Sequence, residues 1–126
     1  MIVRCVRILG TASGKPLKEH PSIQVGAEYP VLEIIASHHG VKFRIFNPKI
    51  DHQHKIVGHA LWGAGMFEIV SDRIPSSWTA KVHPNGSLIL SLPAWHGEEF
   101  WDEFFDGEPA AVAAFERGKD LILNEA

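Results

Sequence analysis

Apolar and polar residues alternate from the first positions of the chain, and that two-residue period predicts a strand over residues 2–9. The turn formers Gly10, Ser13, Gly14 and Pro16 end it and open a loop to about Pro21. Ile23 to Gly26 reads as a short extended piece, and residues 29–37 are β-branched and apolar enough for a buried strand. His38, His39 and Gly40 then form a hairpin turn. In the strand that follows, Val41, Phe43 and Ile45 share one face while Lys42 and Arg44 share the other.

Residues 49–65 have no period and read as loop with some short structure. Residues 66–71 read as a strand. Pro84, Asn85 and Gly86 are strong turn formers, so residues 78–83 and 87–92 are expected to pair as a second hairpin. After Pro93 the period lengthens. Phe100, Trp101, Phe104 and Phe105 fall on one arc of a short helix, with Glu98, Glu99, Asp102, Glu103 and Asp106 on the other. Gly107 ends that helix, and Pro109 sits at the first position of a second one, whose inner face is Ala111, Phe115 and Ile122. Gly118 lets this face approach the sheet closely. The expected fold is α+β: a single domain, residues 1–126, in which a curved antiparallel sheet of five or six strands is followed by two C-terminal helices.

Charge changes this picture more than composition does. Residues 1–81 carry ten Lys/Arg and six Asp/Glu, for a net of +4, whereas residues 82–126 carry two and nine, for a net of −7. No Lys or Arg stands between Val82 and Glu116. Such a block repels nucleic-acid phosphates and attracts basic proteins. No apolar run reaches the ~20 residues needed to cross a bilayer, and the opening residues lack the zones of a secretory signal. A cytoplasmic protein with no membrane partner is therefore expected. With Cys5 as the sole cysteine, an internal disulfide and a thiolate zinc site are both excluded.

Eight histidines invite a search for a metal or a catalytic base. His52 and His54 would point the same way on a strand and share a metal with Asp51 or His59, but no helical HExxH-type pair accompanies them. They read as loop residues, as do His38 and His39 in their turn. Cys5 lies in an alternating strand and reads as core packing. Neither Ser13 nor Ser91 sits in a nucleophile elbow, and the Gly10–Pro16 turn is too short for a phosphate loop. No catalytic residue, metal or cofactor is expected. The carboxylates of residues 98–108 are either the solvated side of an amphipathic helix or a docking surface. A solvated face is the default filling of such a helix, and the missing counter-charges speak for docking, since like charges at helical spacing repel. Of the four tryptophans, Trp62, in its unperiodic segment, is the one expected at the surface. Trp62 and Trp95 are the candidate aromatic anchors.

Several elements together carry a resemblance. These are Val25-Gly26, Tyr29-x-Val31-Leu32-x-Ile34, Ile74-Pro75-x-x-Trp78, Leu92-Pro93-x-Trp95 and Phe100-Trp101-x-x-Phe104-Phe105-Asp106-Gly107-x-Pro109. The pattern resembles small bacterial immunity proteins of contact-dependent growth inhibition and related polymorphic toxin systems. The resemblance implies a non-enzymatic protein that binds a cognate toxin domain, often a nuclease with a basic face, and blocks it. On charge and aromatic placement, the expected partner-binding residues are Glu98, Glu99, Asp102, Glu103 and Asp106, with Trp62 or Trp95. Two other readings stay open: a small metal-dependent enzyme built on His52 and His54, and a nucleic-acid binder using Lys42 and Arg44. The acidic half makes direct nucleic-acid binding the weaker of these.

Overall fold

A computed structural model describes residues 1–10, 13–48 and 61–126. Nine strands are described: β1 (Ile2–Cys5), β2 (Ile8–Leu9), β3 (Pro16–Leu17), β4 (Glu28–Ser37), β5 (Gly40–Ile45), β6 (Leu61–Gly63), β7 (Phe67–Ser71), β8 (Thr79–Val82) and β9 (Leu88–Ser91). Single 3-10 turns cover Ala64–Met66 and Pro93–Trp95. Two helices, α1 (Phe100–Phe105) and α2 (Pro109–Glu125), end the chain. The architecture is the expected α+β one, an open antiparallel sheet with two C-terminal helices, but the main sheet has seven strands rather than five or six. Among the described residues no helix is long and apolar enough to cross a membrane.

β4 organises the sheet. Its ten residues pair along one edge with β5, while the other edge is shared between β1 at its start and β9 at its end. β1 then carries β7, β9 carries β8 and β5 carries β6, every pair antiparallel. The strand expected over residues 2–9 is broken. The backbone N–H groups of Val6 and Arg7 both donate to the carbonyl of Met66, which turns the chain so that Ile8 and Leu9 pair with Leu17 and Pro16 in a separate two-stranded sheet. The second hairpin forms as expected across Pro84-Asn85-Gly86, where Gly86 takes a φ of +88°.

A bulge decides which side chains meet the helices. Between β4 and β5 the register shifts from Val31↔Ile45 to Glu33↔Arg44, leaving Leu32 as the extra residue. Tyr29, Val31 and Ile34 therefore stay in one hydrophobic cluster with Val3, Cys5, Phe43, Ile45 and Trp62, while Leu32 joins a second cluster under the helices. That second cluster is mostly aromatic: Trp95, Phe100, Phe104 and Phe115 are all buried in it. Phe104 and Phe115 bring α1 and α2 together with ring centroids 4.5 Å apart.

Both helices end and begin where their residues require. Gly107, at φ +78°, donates its N–H to the Phe104 carbonyl and Glu108 donates to that of Glu103, a Schellman closure of α1. α2 buries Ala111, Phe115, Gly118 and Ile122, one stripe at spacings of four, three and four. The close approach expected at Gly118 is made to the segment just after β9. A Cβ at position 118 would lie 2.4 Å from Leu92 Cδ1 and 2.7 Å from the Trp95 ring.

Candidate functional site: an acidic face on an aromatic base

α1 is a short platform built from its buried side outward. Phe100 and Phe104 are buried beneath it, and Trp95 stacks on Phe100 at 6.1 Å and on Phe115 at 5.4 Å. Trp101 meets Trp95 edge-on at 5.5 Å. Rings fixed on three sides leave the helix little freedom to roll, so its opposite face is held in one orientation. The helix is shorter than expected, so Asp102 and Glu103 stand on that face while Glu98 and Glu99 lie in the turn before it and Asp106 caps its end; all five are exposed. None of them makes an ion pair with a described Lys or Arg. Glu98, Glu99 and Glu103 border an open concavity with Ala94, Gly97 and Phe100.

The two aromatic anchors are not at this surface. Trp62 is only 4% exposed, which corrects its expected placement. The three residues of β6 pair with β5, setting Trp62 opposite Phe43 inside the first cluster, with the His20 ring edge-on at 4.9 Å. Trp95 is 2% exposed and stacks under α1, its ring also lining the groove beside it. In place of an indole, the surface beside Trp95 offers a groove of about 330 Å³ between the Pro93–Trp95 turn and α2. Leu92, Pro93, Ala94, Ala114 and Leu121 line it, with Arg117 at the rim. No periodicity argument marks Ala114 and Leu121 as site residues. The exposed Leu121 on an otherwise polar side of α2 is the one signal that could have done so.

A second feature was hidden by alternation. Lys42 and Arg44 share a strand face, but only Lys42 is exposed. Arg44 is buried below α1, where its Nε donates to Glu33 Oε2 at 3.1 Å and its guanidinium carbon lies 3.9 Å from the centre of the Trp101 ring. Ser91 donates its hydroxyl to the other Glu33 oxygen, also at 3.1 Å. Burial pulls the Arg44 pKa below its usual value, and the Glu33 carboxylate works against that shift. With Arg44 enclosed, the basic strand face expected to serve nucleic acid is reduced to Lys42.

Around His20 the polar groups hold loops. In the concavity around His20, the Ser22 N–H donates to His20 Nδ1 at 3.0 Å, the Gln24 N–H to the Tyr29 hydroxyl at 2.9 Å and Asn47 Nδ2 to the Ser22 carbonyl at 2.8 Å. His38 and His39 lie exposed in their turn. Asp51, His52, His54 and His59 lie outside the described residues. Among the described residues no three His, Cys, Asp or Glu side chains converge as a metal site would require. Cys5 is fully buried, and burial pushes its thiol pKa up, away from the thiolate a nucleophile needs. Comparison with protein-family models, with curated proteins and with solved structures finds no match to this chain.

Proposed function

We propose that this chain is an inhibitory binding protein of the immunity type, which docks on a basic toxin domain, such as a nuclease, through the acidic face of α1. One observation carries the reading: five exposed carboxylates on and flanking a short helix fixed from below by packed rings, none of them in an ion pair with a described Lys or Arg. Self-repulsion of this kind costs stability, and a docking partner's Lys and Arg would offset it. Acidic side chains steer a basic surface toward encounter and then pair with it. The protein's part in inhibition is occlusion, and it needs no catalytic residue, metal or cofactor of its own. The cytoplasm, where such a toxin would act on its producer, is the compartment that fits.

The test begins with the product of the neighbouring reading frame. Co-expressed, a toxin-like domain encoded there should co-purify as a complex. In stopped-flow mixing, Glu99→Lys with Asp102→Lys should slow association on the order of tenfold at low salt, with the gap narrowing as salt rises. Folding of the variant, read by circular dichroism, should be unchanged. Association rates equal to the wild type at every salt concentration would overturn the proposal.

A further inference from the structure

We infer that the groove between the Pro93–Trp95 turn and α2 seats one apolar side chain of a basic partner protein, whose flanking Lys or Arg lies over Glu98, Glu99 and Glu103. The inference rests on the partner-binding reading above and supplies what that reading lacks, a desolvated anchor, since neither Trp62 nor Trp95 is available at the surface.

Three observations define the occupant. The groove is apolar and large enough for a side chain the size of Leu or Phe, with Leu92, Pro93, Ala94 and Ala114 as walls. Leu121, on its rim, is 56% exposed and stands beside the buried stripe of Ala111, Phe115, Gly118 and Ile122 rather than in it, so the fold leaves a large apolar side chain in water. Ala94 belongs both to this groove and to the concavity bordered by the three glutamates, so an anchor and its basic neighbour would be received side by side.

Charge gives the occupant a direction. Carboxylates stand on the α1 side, while Arg117, exposed and with no ion pair among the described residues, stands on the α2 side. The partner's cation is drawn toward α1, and a main-chain carbonyl or a carboxylate toward Arg117. A second copy of this chain fits less well. Two-fold pairing through the same patch would bring two acidic faces close to one another.

The test selects random linear phage-displayed peptides on the intact protein, then measures the winning peptides, synthesised with a fluorophore, by anisotropy. Enriched peptides should carry one apolar residue beside Lys or Arg. Ala114→Leu, which fills the groove, and Leu121→Asp, on its exposed rim where folding is not at stake, should each weaken binding tenfold or more. Glu98→Lys with Glu99→Lys should do the same. Weakening by the charge variant but by neither groove variant would overturn the groove and leave the acidic docking face standing. Enriched peptides without Lys or Arg would overturn the occupant stated here, as would no enrichment over an unrelated protein. A dimer in sedimentation that Leu121→Asp dissociates would assign the groove to a second copy and overturn the inference in that way.

Discussion

On the surface made by β1, β4 and β7, Arg4 reaches Glu28 at 2.7 Å and Glu68 at 2.6 Å, one guanidinium holding two carboxylates across three strands. Within and around α1, five carboxylates fall between residues 98 and 106, two in the helix and three in the turns that flank it, and none makes an ion pair with a described Lys or Arg. Even inside the molecule, Glu33 has both oxygens engaged, one by Arg44 and one by Ser91. Among the described residues the glutamates of the sheet are thus paired, exposed or buried, whereas the carboxylates on and beside α1 make no ion pair, and neither does Asp120 on α2. Since arrangements for pairing exist within the same 126 residues, the unpaired face is a property of that location and not of a protein short of cations.

The sharpest way to break this contrast is to remove the buried cation. Arg44→Met keeps the stem under Trp101 but leaves Glu33 charged, 1% exposed and without its cation. The expected loss is about 3–5 kcal/mol, read as a large fall in the urea midpoint. Adding Glu33→Leu should recover most of it, because a well-packed apolar pair replaces a buried ion pair at little cost. If Arg44→Met alone is nearly neutral, the sheet is not dealing with its charge as described.

A smaller effect tests the base on which the acidic face stands. In a helix interior Gly→Ala normally gains about 1 kcal/mol. At Gly118 the new Cβ would press on Leu92 and on the Trp95 ring at under 3 Å, and the indole, stacked on Phe100 and Phe115, has no room to turn. Overpacking of about 1–3 kcal/mol outweighs the propensity gain, so Gly118→Ala should lower the melting temperature and change the near-ultraviolet aromatic signal. A rise in melting temperature would mean that α2 is free to move away from Trp95 and that the platform is not rigid.

What was readable in advance follows from the same packing. The β4–β5 hairpin, the Gly86 turn and the two helices were legible because each depends on a local period and a local breaker. Trp62 was misplaced because a three-residue strand carries too little alternation to show a period, and its burial comes from pairing with β5, a contact made at a distance in sequence. Arg44 was read as a solvent-side residue because strict alternation cannot anticipate α1 folding back over that face, nor the bulge at Leu32 that turns Glu33 toward it. The signal that could have found the pair is Glu33 itself, one charge within Val31-Leu32-Glu33-Ile34-Ile35, which requires a buried cation somewhere in the chain. The acidic face was legible because it is local: all five carboxylates fall within nine residues. The apolar groove beside it was not, since Leu92 and Leu121 are brought together only by the Gly118 approach.

Two charge reversals of small effect sharpen the comparison through their signs. Arg4→Glu places a third carboxylate beside Glu28 and Glu68, so it should lower the melting temperature at low salt, with much of the loss recovered in 1 M salt by screening at a Debye length of about 3 Å. Asp106→Lys should do the reverse. Asp106 closes the C-terminal end of α1, where a negative charge opposes the helix dipole, and it follows Asp102 by four residues. Lysine there satisfies both the dipole and that pair, for an expected gain of about 0.5 kcal/mol at low salt. A gain would mean that the fold on its own is better without this carboxylate, so its presence has to be explained by something outside the fold. A loss matching that of Arg4→Glu would place the face among the structure's internal supports, and the contrast between helix and sheet would then give no reason to look for a basic partner.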